Sequence, residues 1–343
     1  MLIRKFLTLA AVCFLFFISC KNDFDVIDNW KNIPVVYGVI SRNDSAHYLR
    51  LEKAFLDKTT SALVIAQRPD SLYYNNATVQ LKRVSDGAIY TFSRVDGNLE
   101  GYMRDSGVFA NAPNYLYKYK VSANDTLIAD QVYQLIVKDE NDKEMTTATI
   151  NAVGKYTQVQ NTPVTQMPVR FDRKLDLAFT SAEKTAYFYD CYMRFNYSET
   201  TPADPNTFID KSVFILMEKG AKRDGADTGN PSVRYQYRIL GEDFYKKIAL
   251  NIAPSTNGIR RKFKSIDWVM YAGAKELYDY INIGQANIGI TGAEAPPVYT
   301  NLANGAYGLF STRSINELKN FTLDTEARDS LKNSTITIQL NFQ

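Results

Sequence analysis

The sequence predicts a mainly β protein. An N-terminal immunoglobulin- or transthyretin-like β-sandwich precedes a β-rich C-terminal domain with two short helices. Short runs of alternating apolar and polar residues recur from Ile33 onward at the spacing of all-β sandwiches. The chain holds 23 Tyr and 19 Phe against 2 Trp, a usage that suits half-buried strands. Asp86-Gly87 separates two alternating runs, which is a strong short-range hairpin signal.

Pro34 to Ile40 is the first expected strand, followed by the turn Ser41-Arg42-Asn43-Asp44. His47 to Lys53 alternates cleanly, and Ala77 to Arg83 with Ala88 to Phe92 forms the hairpin. Leu116 to Val121 and Gln131 to Val137 follow, then the turn Asp139 to Lys143 and the strand Met145 to Ile150. The sandwich therefore covers residues 33–152. A linker is expected within 153–168, because Thr157 to Pro168 is rich in Thr, Pro and Gln. The second domain, 169–343, has strands at Leu175 to Phe179, Ala186 to Tyr197, Val213 to Glu218, Val233 to Ile239 and Ile266 to Tyr271. Phe244, Ile248 and Ile252 have helical spacing over 241–252, as do Leu277, Tyr280 and Ile281 over 274–283. Thr335 to Phe342 alternates and is expected to close the chain as a strand.

The N-terminus has the order of an export signal. Arg4 and Lys5 precede the uncharged apolar run Phe6 to Ile18, and the small Ser19 precedes Cys20. The run is short for a bilayer span. Residues 1–19 thus read as a lipoprotein signal peptide that is removed, with Cys20 as the lipidation site and 20–32 as a lipidated tether. Lys21, Asp23 and Asp25 resemble the surface-export signal of Bacteroidota lipoproteins. That places the protein in the outer membrane facing the cell exterior, with the periplasmic leaflet as the alternative.

Formal net charge is +3, and loss of Arg4 and Lys5 with the leader leaves +1, so charge gives no argument for nucleic acid. Cys13 leaves with the leader and Cys20 carries lipid. Cys191 is then alone, and no intramolecular disulfide is possible.

Two motifs carry a family resemblance: Val35-Val36-Tyr37-Gly38-Val39-Ile40, and Asn301 to Phe310 with Gly305 and Gly308 between. In that order, after a lipobox, they resemble a Bacteroidota family of outer-membrane lipoproteins of unknown function. Its members are commonly associated with TonB-dependent transporters. The resemblance implies a membrane-anchored accessory that binds or assembles with an outer-membrane transporter or another envelope protein.

No catalytic residue and no cofactor is expected. His47 is the only histidine, so a His-based zinc cluster or shared proton relay cannot form. It reads as half-exposed in a strand, and Cys191 reads as a buried, inert thiol. Ser181-Ala182-Glu183-Lys184 has Ser-x-x-Lys spacing but lies between strands, where a turn is the better reading. Asp224 to Asn230 could offer oxygens to calcium but lacks EF-hand spacing, and no metal site is assigned. Gly284, Gly289 and Gly292 make no phosphate loop. Paired carboxylates of a surface hydrolase are a third class, distinguished by whether two acids meet in a cleft. Tyr115, Tyr117 and Tyr119 share a strand face, as do Tyr187, Tyr189, Cys191 and Met193. Such faces are either core or a stacking platform for a glycan or peptide. Ser45, Ser71, Thr126 and Ser330 follow Asp and precede an apolar residue, which resembles the O-glycosylation signal of Bacteroidota envelope proteins; turn chemistry explains them as well.

Overall fold

The computed structural model describes residues 33–54, 60–122, 125–154, 156–160, 166–181, 185–228, 234–286 and 299–343. The leader, Cys20, Lys21, Asp23 and Asp25 lie outside them. The first part contains β1 (Ile33–Ser41), β2 (Ala46–Ala54), α1 (Ala62–Ala66), α2 (Pro69–Leu72), β3 (Thr78–Arg83), β4 (Ile89–Asp96), β5 (Tyr115–Lys120), β6 (Val132–Lys138) and β7 (Glu144–Asn151). The second runs through β8 (Tyr156–Gln160), β9 (Gln166–Met167), β10 (Lys174–Ser181), β11 (Phe188–Glu199), β12 (Ile209–Lys222) and β13 (Arg234–Leu240). It ends with α3 (Gly241–Asn251), β14 (Arg261–Gly273), α4 (Lys275–Ala286), β15 (Tyr307–Leu323) and α5 (Thr325–Asn333). The fold is mainly β and sandwich-like, with α3 and α4 where the helical spacing predicted them.

One long sheet has the order β12-β11-β14-β15-β1-β2-β5-β4-β3-β6-β7, with β9 pairing beside β15. A smaller sheet has the order β13-β10-β8. The long sheet curls, so that β7 at one end returns to the segment before β15. Ala303 N–H donates to Thr147 O at 2.8 Å, and Thr146 Oγ1 donates to Ala303 O at 2.8 Å. The curl encloses a core that includes Val36, Leu49, Leu51, Leu81, Leu135 and Ile150. A second core lies between β11 and β14 on one side and the small sheet, α3 and α5 on the other, centred on Trp268, Phe195, Phe244 and Tyr245.

The structure corrects the expected division at one point. Leu302, Ala306 and Phe310 belong to the first core, although 169–343 reads as one domain. β15 is the reason. Its first half runs parallel to β1, with Val36 opposite Gly308 and Gly38 opposite Phe310, and its second half runs antiparallel to β14. The two motifs that carry the resemblance are therefore adjacent strands. Asn301 acts as a short surrogate strand, accepting Phe310 N–H at 3.0 Å and donating to Phe310 O at 2.7 Å. Gly308 has φ 116°, and a Cβ there would stand 2.0 Å from Val36 O, so only glycine permits this approach.

The passage between the cores is fixed by β15 as well. Thr312 Oγ1 donates to Asn151 O at 2.8 Å and accepts Val153 N–H at 3.1 Å, and Ser314 Oγ donates to Gly154 O at 2.7 Å. The expected linker is not plain connection: Tyr156–Gln160 is β8, which pairs with β10, and Gln166–Met167 pairs with β15. Pairing satisfies backbone groups that the edge of β10 would otherwise leave open.

The expected closing strand is also corrected. Residues Ile338–Leu340 form a 3-10 turn. Ser334 Oγ and Thr337 Oγ1 bond each other at 2.7 Å, and Thr337 Oγ1 donates to Ser330 O at 3.2 Å. These local bonds compete with a ladder and win. The tail is still anchored, because Phe342 enters the second core and the Arg261 guanidinium donates to Leu340 O at 2.8 Å.

Candidate functional site

Period-two alternation gives every strand of the long sheet a second side. On β11 the core side is Tyr189, Cys191, Met193 and Phe195, all fully buried. The other side is Asp190, Tyr192, Arg194 and Asn196, all partly exposed. Neighbouring strands continue this open face with Phe214 on β12, Asp267 and Tyr271 on β14, Arg313 and Glu317 on β15, Tyr37 on β1 and Tyr48 on β2.

Helix α4 packs on β15 and divides the face. Tyr278 sets it against Tyr187 and Phe188, with ring centroids 5.1 and 5.4 Å apart, and Tyr280 stands 6.1 Å from Tyr37. Two hollows result, and both use Leu277 and Ile281 from the helix. The larger, about 560 Å³, is walled by Phe188, Tyr192, Phe214 and Tyr271 and carries the charges of Asp190 and Arg313. The smaller, about 380 Å³, lies over β1, β2 and β5 beside Tyr37 and Tyr48. These volumes are within the usual range of small-molecule sites.

Beside the larger hollow is an ionic network. Arg194 donates to Glu317 at 2.7 Å and to Asp267 at 3.4 Å, and its guanidinium lies 4.7 Å from the Phe214 ring centre. Asp267 also accepts Asn196 Nδ2 at 3.0 Å and Asn320 N–H at 2.9 Å. Two acids do meet here, but the bonds from Arg194 and Lys319 hold the Glu317 carboxyl below its usual range. The general acid of a glycosidase pair needs the opposite shift. The network orients charge on the face.

The family described as "Domain of unknown function (DUF4249)" matches residues 21–318. The chain belongs to the DUF4249 family. No curated protein matches it in sequence. Among solved structures, "Crystal structure of CBD12 from CALX1.2" is similar at 8% identity with a TM-score of 0.17, covering 83% of this chain and 99% of that one.

Several residues singled out in the DUF4249 sequence land away from the open face. Tyr117, Tyr187, Tyr189, Cys191 and Met193 are buried, and Tyr119 packs on Tyr90 and Phe92. Apart from Tyr187, which packs on Tyr278 of α4, and Tyr115, which packs on Tyr73, these stripes are core faces. Burial pushes the Cys191 thiol well up, as an inert cysteine requires. His47 is corrected: it is 2% exposed on the core side of β2, neither ring nitrogen has a hydrogen-bond partner among the described residues, Asp44 lies 4.0 Å from Nδ1, and burial pushes it down to about 4. Asp227 of the calcium-like loop is taken by Lys222 at 3.1 Å and by the Tyr187 hydroxyl, while Gly229 and Asn230 lie outside the described residues. So do residues 182–184 of the Ser-x-x-Lys tetrad and Gly289 and Gly292; Gly284 falls in α4. Among the described residues, no group of three or more His, Cys, Asp or Glu could hold a metal. Ser45 is exposed in the β1–β2 turn, whereas Ser71, Thr126 and Ser330 are partly buried.

Sequence reasoning passed over Tyr192, Phe214, Tyr271 and Arg313. The usable signal was the opposite phase of the same strand, where Asp190, Tyr192, Arg194 and Asn196 alternate with the apolar set.

Proposed function

We propose that this DUF4249 protein is a lipid-anchored outer-membrane protein that binds an envelope partner and does not turn over a substrate. Cys20 carries the lipid, Lys21, Asp23 and Asp25 direct the fold to the cell exterior, and the partner is a TonB-dependent transporter. The anchor rests on the order Arg4-Lys5, Phe6 to Ile18, Ser19, Cys20. The transporter rests on the resemblance carried by the β1 and β15 motifs. The binding role is carried by the open sheet face, where aromatic side chains and a fixed ionic network border two hollows. Phe214 is 48% exposed, and exposed aromatic surface beside ordered charge is the composition of a recognition patch.

The test has two readouts. Cys20→Ala should abolish metabolic palmitate labelling and release the protein from membranes. Wild-type protein purified from detergent-solubilised outer membranes should bring down a TonB-dependent transporter. Labelled, membrane-bound Cys20→Ala protein would defeat the anchor, and purification without any transporter would defeat the partner.

A further inference from the structure

The larger hollow contains an arginine with no hydrogen-bond partner among the described residues. Arg313 stands on the open side of β15, and its Nε is shut from solvent with no acceptor. The nearest acid, Asp44, is 4.0 Å from Nη2, and its other oxygen already accepts Ser41 N–H at 3.1 Å. The other arginines of this face are engaged: Arg194 with Glu317 at 2.7 Å and Arg50 with Glu52 at 2.9 Å. The side chain as a whole is 42% exposed, so its Nη groups stand open to an acidic ligand, while the buried Nε gains an acceptor only if the side chain turns. The pair of Nη groups matches a carboxylate in geometry as well as charge.

The rest of the hollow limits what such a ligand can be. Phe188, Tyr192, Phe214, Tyr271, Leu277 and Ile281 suit an apolar body and offer few partners to a polyhydroxyl one. Asp190 projects from β11, two strands away from Arg313, and accepts Gly220 N–H at 2.7 Å. Its negative charge on the far wall disfavours a second anionic group.

We propose that this hollow binds a small apolar monocarboxylate, with the carboxylate on the Arg313 fork and the body against Tyr192, Tyr271 and Leu277. The inference rests on the open face being a binding surface, and it gives that face a small-molecule ligand in addition to a protein partner.

Calorimetric titration of the mature chain with 4-phenylbutyrate tests it, with 4-phenylbutanamide and 4-phenylbutylamine as neutral and cationic controls. The carboxylate should bind about 10- to 100-fold more tightly than either control, the range expected for a hydrogen-bonded charge pair. Arg313→Gln should bring it to the level of the amide without lowering the melting temperature. Arg313→Lys keeps the charge without the fork and should fall between, which also covers any folding defect in the glutamine variant. Leu277→Trp should fill the hollow and weaken all three probes. Equal binding of acid and amide, or undiminished binding by Arg313→Gln, would overturn the proposal. Absence of phenylbutyrate binding in a protein that still co-purifies its transporter would sink the carboxylate site and leave the proposed function standing.

Discussion

The two sides of β11 differ in every respect except backbone. One side presents Tyr189, Cys191, Met193 and Phe195, each at 0% exposure, to a dry core. The other presents Asp190, Tyr192, Arg194 and Asn196 to a face that, among the described residues, one helix crosses. Alternate residues thus serve different ends: one set holds the fold, and the other is free to recognise. Substitutions on the core side should therefore cost stability, and those on the open side should cost binding.

The largest expected effect is at the seam between the two cores. Gly308→Ala places a Cβ against the Val36 backbone at a φ of 116°, which no side-chain rotation relieves. It should lower unfolding free energy by about 4 kcal/mol or more, or prevent folding, because it separates β1 from β15. Denaturant melts with probes in each unit should show both destabilised; loss in only one would break the picture of a shared strand. Next is Trp268→Ala, which empties a fully buried site in the second core and should cost about 3–5 kcal/mol. Its binding, measured on the fraction that remains folded, should be unchanged.

His47 sharpens the comparison by pH. Its folded pKa is depressed from 6.5 to about 4, so the unfolded chain takes up the proton first as pH falls. Stability should be full above pH 6.5 and decline towards pH 4 by about 3 kcal/mol, at 1.36 kcal/mol per unit. His47→Leu should flatten that decline in denaturant melts at pH 7 and 4.5; an equal slope in the variant would show that other groups govern it. The smallest stability effect belongs to the open face. Arg194→Met takes one partner from Glu317 and one from the buried Asp267, which keeps its bonds from Asn196 and Asn320, and should cost about 1–2 kcal/mol, while reducing transporter recovery. A large drop in melting temperature would mean that the network supports the fold.

Much of this fold was legible because its strands are amphipathic. Asp86-Gly87 gave the hairpin, and Phe244, Ile248 and Ile252 gave α3. β15 was hidden for a physical reason. Thr312 and Ser314 face inward as hydroxyls bonded to Asn151, Val153 and Gly154, so a buried strand reads as polar. The parallel pairing of β1 with a strand 272 residues later in register has no local signature either. Thr335 to Phe342 misled in the other direction, since its alternation is real but Ser334 and Thr337 close a turn. At the site, tyrosines were noticed by number, and the number marked the core. What identifies Tyr192, Phe214, Tyr271 and Arg313 is convergence from four strands, which one sequence does not display.

Photo-crosslinking in intact cells tests the central claim most directly. A photoreactive side chain is placed at Tyr192 or Phe214 on the open face, or at Leu250, which is 84% exposed on α3 away from the sheet. The open-face positions should crosslink to a TonB-dependent transporter, and position 250 should not. Crosslinks from position 250 with none from 192 or 214 would contradict the assignment of the open face as the binding surface.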